Sequence, residues 1–182
     1  LMKEKMGLIA AKGKLPYYWA KNAAKNNKDI YIFKLNENSY PLNKYSEKTF
    51  KQEIGQLEQL IQRCLEHNIK KVIFAGKVEK NNLYKIEMDL RMKKLLNNLD
   101  KLSDDNILRA IAAEFEREGI EVSPQSEFVS ELLAKRGKLT PGKINDKLLA
   151  EMEFAFLKAK EVGKLDIGQS LLTKDKAVVA VE

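Results

Sequence analysis

The sequence predicts an α/β fold: a mostly parallel sheet with helices on both faces, followed by the start of a second, incomplete α/β unit. Three observations in the 182 residues predict it. Short strand-like runs recur at 6–10, 29–34, 69–75 and 120–122, the second of them rich in β-branched and aromatic residues. The intervals between them carry apolar residues at helical spacing, and strands alternating with helices of this length imply a parallel sheet covered on both sides. Residues 136–145 then break the alternation, because Gly137, Pro141 and Gly142 sit among lysines with little to bury. The predicted organisation is an N-terminal domain over 1–135, a linker over 136–145 and the beginning of another domain over 146–182.

The first unit spans 6–16. The run Met6-Gly7-Leu8-Ile9-Ala10 ends in a small-residue turn carrying two lysines, and Pro16 opens an apolar segment reaching Ala24. Pro16 suits the first turn of a helix, where its missing N–H costs nothing, and Gly7 and Gly13 permit close backbone approach or positive φ. In open α/β sheets such a turn lies at the carboxyl end of a strand, where ligands bind, and the helix N-terminus favours anions. Simple topology would place the same residues there without a ligand.

A second strand follows at 29–34, then a polar loop over 36–48 holding Pro41. From Thr49 the residues Phe50, Ile54, Leu57, Ile61 and Leu65 predict a helix, with Leu60 and Cys64 widening its stripe and Asn68 near its end. Val72-Ile73-Phe74-Ala75 reads as a buried strand running into Gly76, Lys77 and Val78. Residues 89–102 have helical register through Leu90, Lys94, Leu95, Leu96 and Leu99. Ser103, Asp104 and Asp105 then cap a stronger helix with Ile107, Leu108, Ile111 and Phe115 on its stripe and Gly119 as its stop. Residues 120–122 read as a strand and 126–135 as a short helix bearing Phe128, Leu132 and Leu133.

Past the linker, a helix is expected over 146–162 with Leu148, Leu149, Met152, Ala155, Phe156 and Ala159 inward and Gly163 as terminator. The tail reads as strands at 166–172 and 177–182 joined by a polar turn. A helix and hairpin of ~37 residues are too small to be stable alone, so this part is expected either to dock on the first domain or to be a fragment. Leu1 ahead of Met2 raises the same question at the other end.

Composition limits the chemistry. The formal charge is +7, from 33 basic and 26 acidic residues. Only Arg63, Arg91, Arg109, Arg117 and Arg136 are arginines, so the excess is a lysine surface without the forked donors favoured in phosphate and base recognition. A nucleic-acid partner is disfavoured; a solvated surface, an anionic ligand or an anionic membrane surface all fit. No apolar run approaches the ~18 residues of a membrane span and no secretory leader is evident, which predicts a cytoplasmic protein. Cys64, alone and on a helix stripe, predicts a buried inert thiol. With His67 the sole histidine, zinc centres and histidine-based triads lack material.

Two nucleotide-binding patterns also fail. A P-loop needs four residues between its glycines and a Ser or Thr after its lysine, whereas Gly7 and Gly13 are separated by residues 8–12 and Leu15 follows Lys14. The dinucleotide fingerprint needs three glycines after its strand, and only Gly13 follows this one. Acids, lysines and amides remain. Asp104 and Asp105 could serve a metal or cap a helix; Asp89 and Asp166 read as structural. Gly76 and Lys77 could offer a backbone amide and an ammonium to a phosphate, or form a tight turn. Gln169, among apolar strand residues, must find partners if buried.

In order along the chain stand Gly7-Leu8-Ile9-Ala10 with Gly13 and Leu15-Pro16, Gly55-Gln56-Leu57, Ala75-Gly76-Lys77-Val78 and Asp104-Asp105-Asn106-Ile107-Leu108-Arg109-Ala110. Leu139-Thr140, Asp166-Ile167-Gly168-Gln169-Ser170 and Ala180-Val181-Glu182 follow. This set resembles the UDP-2,3-diacylglucosamine pyrophosphatases of lipid A biosynthesis, the LpxI type, over essentially the whole chain. The resemblance implies a Rossmann-like N-terminal domain, a second α/β domain and substrate held between them. It implies hydrolysis of the pyrophosphate bond of UDP-2,3-diacylglucosamine to UMP and 2,3-diacylglucosamine 1-phosphate (lipid X), with Mg²⁺ or another divalent cation. A homodimer located at the inner face of the inner membrane is implied as well.

By the same resemblance Ala11, Gly13, Gly76, Lys77, Thr140, Asp166, Gly168 and Gln169 are substrate-binding. The catalytic acids are expected beyond Glu182, after a Glu-Gly-Thr-Asp continuation, so that this chain alone would be truncated and inactive. Ala11 and Ala155 depart from the family, which commonly has glycine at both places; the Ala11 methyl is expected to narrow the first turn. The alternative reading is a non-catalytic α/β domain that binds a nucleotide or an acidic lipid.

Overall fold

A computed structural model describes residues 4–35, 40–78 and 86–182 and divides the chain into two compact units, Leu1–Leu133 and Ala134–Glu182. In the first unit β1 (Lys5–Ala10), β2 (Asp29–Leu35), β3 (Thr49–Gln52), β4 (Lys71–Ala75) and β5 (Glu121–Val122) form one sheet in the order β3-β2-β1-β4-β5. Every pairing is parallel, with Met6 facing Ile30 on one side and Lys71 on the other. This is the open, helix-covered α/β sheet that the alternating pattern predicts.

Strand periodicity sends alternate β1 residues to opposite faces. Met6, Leu8 and Ala10 join Trp19, Ala20 and Ala23 of α1 (Leu15–Lys25), together with Leu42 and Val129. Ile9 and Ala11 join Leu57, Leu60, Ile61 and Cys64 of α2 (Leu57–Glu66), Met92 and Leu95 of α3 (Leu90–Asn97), and Phe115 of α4 (Asp104–Arg117). Gly7 belongs to this second face, where a Cβ would stand 3.0 Å from Val72 Cγ1, so packing rather than backbone freedom demands glycine there. Cys64 is fully buried, and burial pushes its thiol up to about 12, as expected of an inert core cysteine.

Several elements differ from the sequence reading. The helix expected from Thr49 begins at Leu57, and Thr49–Gln52 is instead the edge strand, with Phe50 stacked on Phe33. Gly55 explains the break: a Cβ there would lie 2.4 Å from the Glu87 carbonyl oxygen, a backbone approach that a helical side chain would prevent. The expected helix over 126–135 is a turn with one short 3₁₀ segment, Ser130–Leu132. Phe128 and Val129 anchor it, Phe128 edge-on to Trp19, while Leu132 and Leu133 stay about half exposed. Residues 36–39 of the predicted loop, and Leu1 and Met2, lie outside the described residues.

In the second unit, α5 (Asp146–Lys164) precedes an antiparallel hairpin of β6 (Leu171–Lys174) and β7 (Ala177–Val181). Asn145 caps α5, its Oδ1 accepting from the Leu148 N–H at 2.8 Å. The helix runs through Gly163 to Lys164, with Leu165 as its cap, and Asp166 supplies the left-handed turn with a φ of +55°. The first strand begins at Leu171, not 166, because 166–170 is spent on that turn and on a backbone clasp described below. Leu148, Leu149, Met152 and Phe156, expected inward, are 44–61% exposed. Asp175 and Lys176 both take positive φ, the geometry of a tight hairpin turn, and the Lys176 N–H donates to Glu151 Oε2.

Candidate functional site

Strand order decides where a ligand can enter. From β1 the chain crosses to β2 on one side, and from β4 it proceeds to β5 on the other. The carboxyl ends of the adjacent strands β1 and β4 are therefore the topological switch point, the place where open α/β sheets bind ligands. Ala11, Gly13, Gly76 and Lys77 meet there.

Their backbones are joined. The Ala11 N–H donates to the Ala75 carbonyl at 2.8 Å, continuing the ladder past the strand ends. One residue further the direction reverses: the Lys12 N–H donates to the Lys77 carbonyl (3.2 Å) and the Lys77 N–H to the Lys12 carbonyl (2.9 Å), an isolated antiparallel bridge. Gly76 makes the crossing possible. Its φ is +98°, and a Cβ would lie 2.6 Å from the Lys12 oxygen and 2.8 Å from the Ala11 carbonyl carbon. Gly13 also takes positive φ, +109°, but faces open space. Two expectations change here. The Lys77 N–H is committed to the Lys12 carbonyl, so it is not the backbone amide available to a phosphate. Ala11 is only 6% exposed and packs in the core cluster of α2, α3 and α4, so its methyl fills the sheet face and does not narrow the turn.

Beside this bridge α1 begins with Lys14 as its N-cap, no side-chain cap and no acid in its first turn. Elsewhere acids hold that role. Asp89 Oδ1 accepts from the Met92 N–H at the start of α3, while Oδ2 accepts from the Glu58 N–H at the start of α2. Ser103 caps α4, and Asp105 pairs with Arg109. An N-terminus without a side-chain cap, beside Lys14 and Lys77, favours positive potential at the switch point. A tyrosine cluster borders it: Tyr17 of the first α1 turn lies 5.3 Å from Tyr45 and 5.9 Å from Tyr40, ring to ring, with the Lys44 ammonium 5.5 Å from the Tyr17 ring centre. Burial, then the bond with Tyr17, pushes the Tyr45 hydroxyl up to about 12; hydrogen bonding to Tyr45 lowers Tyr17.

The other predicted residues lie in the second unit. Thr140, Asp166 and Gln169 are exposed, so the amide of Gln169 meets water and needs no buried partner. Around Gln169 the backbone is held by Glu182, whose carbonyl accepts from the N–H groups of Gln169 (2.6 Å) and Ser170 (2.8 Å) and whose N–H donates to the Ser170 carbonyl. Gly168 allows this clasp, since a Cβ there would stand 2.8 Å from the Glu182 oxygen.

Sequence reasoning did not single out Lys12. Its pairing with Lys77 depends on β1 and β4 being neighbours, and the only signal was a lysine two residues past the end of each strand. His67 caps the C-terminus of α2 just before β4 begins, at the opposite, amino end of the sheet. Among the described residues no group of three or more His, Cys, Asp or Glu could hold a metal ion. A metal cage built from this chain's described residues does not fit. No helix among them is long and apolar enough to cross a membrane.

These features define a helix-covered parallel α/β domain with a basic, anion-favouring switch point, joined to a smaller α/β unit. The model of the LpxI N-terminal domain matches residues 5–132 and that of the LpxI C-terminal domain matches 135–182. A relative from Caulobacter vibrioides (strain ATCC 19089 / CIP 103742 / CB 15), named UDP-2,3-diacylglucosamine pyrophosphatase LpxI, is 30% identical over 184 residues. That match covers 98% of this chain and 64% of the relative. The chain belongs to the LpxI family. Both family domains are represented, so these matches lend no support to the expected truncation.

Proposed function

We propose that this protein hydrolyses the pyrophosphate bond of UDP-2,3-diacylglucosamine, releasing UMP and 2,3-diacylglucosamine 1-phosphate. The observation that carries the reading is the joined loop pair at the switch point of a chain belonging to this family. A pyrophosphate in water is heavily hydrated and repels nucleophiles; hydrolysis needs its charge neutralised and its phosphorus held in place for water. Lys12, Lys14 and Lys77 supply the neutralising charge, and the glycine-permitted crossing of the two loops holds those lysines on a rigid backbone. Gly13, beside Lys12 and open to solvent, lets a phosphoryl group approach the main chain. Thr140, Asp166, Gly168 and Gln169 contribute hydrogen-bonding groups in the second domain. In this reading Mg²⁺, attachment to the inner face of the inner membrane and a homodimer accompany the activity.

The shortage of clustered carboxylates among the described residues favours a second reading, a domain that binds the nucleotide or the acidic lipid without turnover. Incubating the protein with UDP-2,3-diacylglucosamine, with and without Mg²⁺, and measuring UMP decides between them. Release of UMP above the uncatalysed rate supports the hydrolase. Saturable binding of UMP or of the lipid product without release supports the second reading, and the absence of both release and binding overturns both readings.

A further inference from the structure

We propose that residues 134–149, the stretch leading into α5 and the first turn of that helix, form a docking surface for an anionic lipid bilayer. Charge singles the stretch out. Lys135, Arg136, Lys138, Lys143 and Lys147 stand against one acid, Asp146, so residues 134–147 hold a net +4 of the chain's +7. Every residue from 134 to 149 is exposed. Among the described residues Lys147 pairs with the exposed Asp175 at 3.5 Å, and Lys135, Arg136, Lys138 and Lys143 have no acid within ion-pair distance. A dense cluster of unpaired cations within one Debye length responds as a unit to a surface of opposite sign, which anionic lipid headgroups supply.

Charge alone would suit a solvated surface equally well; the apolar residues set among the cations do not. Leu139 is 67% exposed and Ile144 43%, and Leu148 and Leu149 follow on the first turn of α5, also exposed. None of the four belongs to either core cluster. At a bilayer such side chains enter the boundary between headgroups and acyl chains while the lysine stems lie along it and reach the phosphates, so that two weak signals act together. A nucleic acid would meet the same charge, but 134–149 holds no aromatic side chain to stack on a base and a single arginine, Arg136. The inference gives the membrane attachment of the proposed activity its residues. It rests on that reading for the leaflet involved, and on exposure and charge for the surface itself.

The test is co-sedimentation of the full chain with vesicles of phosphatidylcholine alone and with vesicles in which about a third of the lipid is phosphatidylglycerol. The parent is compared with K135Q/R136Q/K138Q/K143Q, with L139S/I144S, and with K70Q/K93Q/K94Q/K101Q, which removes the same charge from exposed positions of the first unit. The parent is expected to bind the anionic vesicles, to ignore the neutral ones and to come off as salt rises. At about fivefold per cation, the first variant is expected to weaken binding at least about a hundredfold. L139S/I144S is expected to weaken it about tenfold with the salt dependence kept, and the first-unit control less than about threefold. Urea midpoints of all three should match the parent, since none of the substituted side chains is buried. No binding of the parent to anionic vesicles, an equal loss in the first-unit control, or full binding by L139S/I144S overturns the docking surface, as does tighter binding to duplex or single-stranded DNA than to the vesicles. Vesicle binding by a chain that releases no UMP keeps the surface and removes the hydrolase; UMP release from dispersed substrate by a chain that ignores the vesicles does the reverse.

Discussion

Gly76 carries two demands at once, a φ of +98° and a backbone neighbour inside the space of a Cβ, whereas Gly13 carries only a φ of +109° with nothing within 4 Å. The two substitutions should therefore separate. G13A meets conformational cost alone, about 1–2 kcal/mol. G76A adds a clash with the Lys12 and Ala11 main chain, which nothing flexible can relieve, and is expected to cost at least ~1 kcal/mol more and to break the Lys12–Lys77 bridge. Urea melts read the stability difference and the Lys12 and Lys77 amide shifts read the bridge; equal costs for the two variants would show that the crossing is slack. Gly13 and Gly76 were legible as turn residues because each follows an apolar run. The burial of Ala11 was not, since the side of the sheet to which a residue just past a strand points is set by the pleat it inherits from β1.

The first domain's helices are organised by acids that the sequence shows only in part. Asp89, read from the sequence only as structural, caps α3; its second oxygen also caps α2, more than thirty residues earlier. The 3.6-residue stripe from Phe50 misled for a related reason: Phe50 and Ile54 share a face with α2 in sequence, but the tight approach at Gly55 ends the strand register and restarts the chain as a helix. Arg91 of α3 reinforces this arrangement, donating to Glu58 of α2, to Glu114 of α4 and to Glu118, the residue that caps the end of α4. D89A removes two caps and is expected to cost about 2 kcal/mol, the sum of two ordinary capping contributions. D89N keeps one acceptor oxygen and loses the other, so it should fall near halfway. If D89A costs no more than a single cap, or D89N equals D89A, the shared-cap account fails.

At the scale of the whole molecule, the alternation of strands and helices was enough to give a parallel sheet covered on both faces, because such strands must be apolar on both sides. The order β3-β2-β1-β4-β5, and with it the switch point, was not readable, since local patterning carries no information on which strands are neighbours. The two units also differ in what holds them. The first encloses Trp19, Phe33 and Phe115 without exposure, on two faces of the sheet, whereas α5, β6 and β7 contain no buried residue. A two-stranded hairpin with one helix is marginal in water, and local opening follows the scarcity of buried contacts. Cys64 supplies a probe of the first unit: it is fully buried and its thiol is held protonated by that burial, so a thiol reagent reaches it only when the α2 face opens. In the intact chain, Cys64 labelling and exchange of the β1 and β4 amides should share one opening free energy, that of global unfolding of the first unit. Amides of β6 and β7 should exchange with an opening free energy at least ~2 kcal/mol lower, within the spread seen for local opening. Equal protection across both units would mean that further contacts bury the hairpin, whereas rapid labelling of Cys64 in native buffer would contradict the packing of α2 on the sheet.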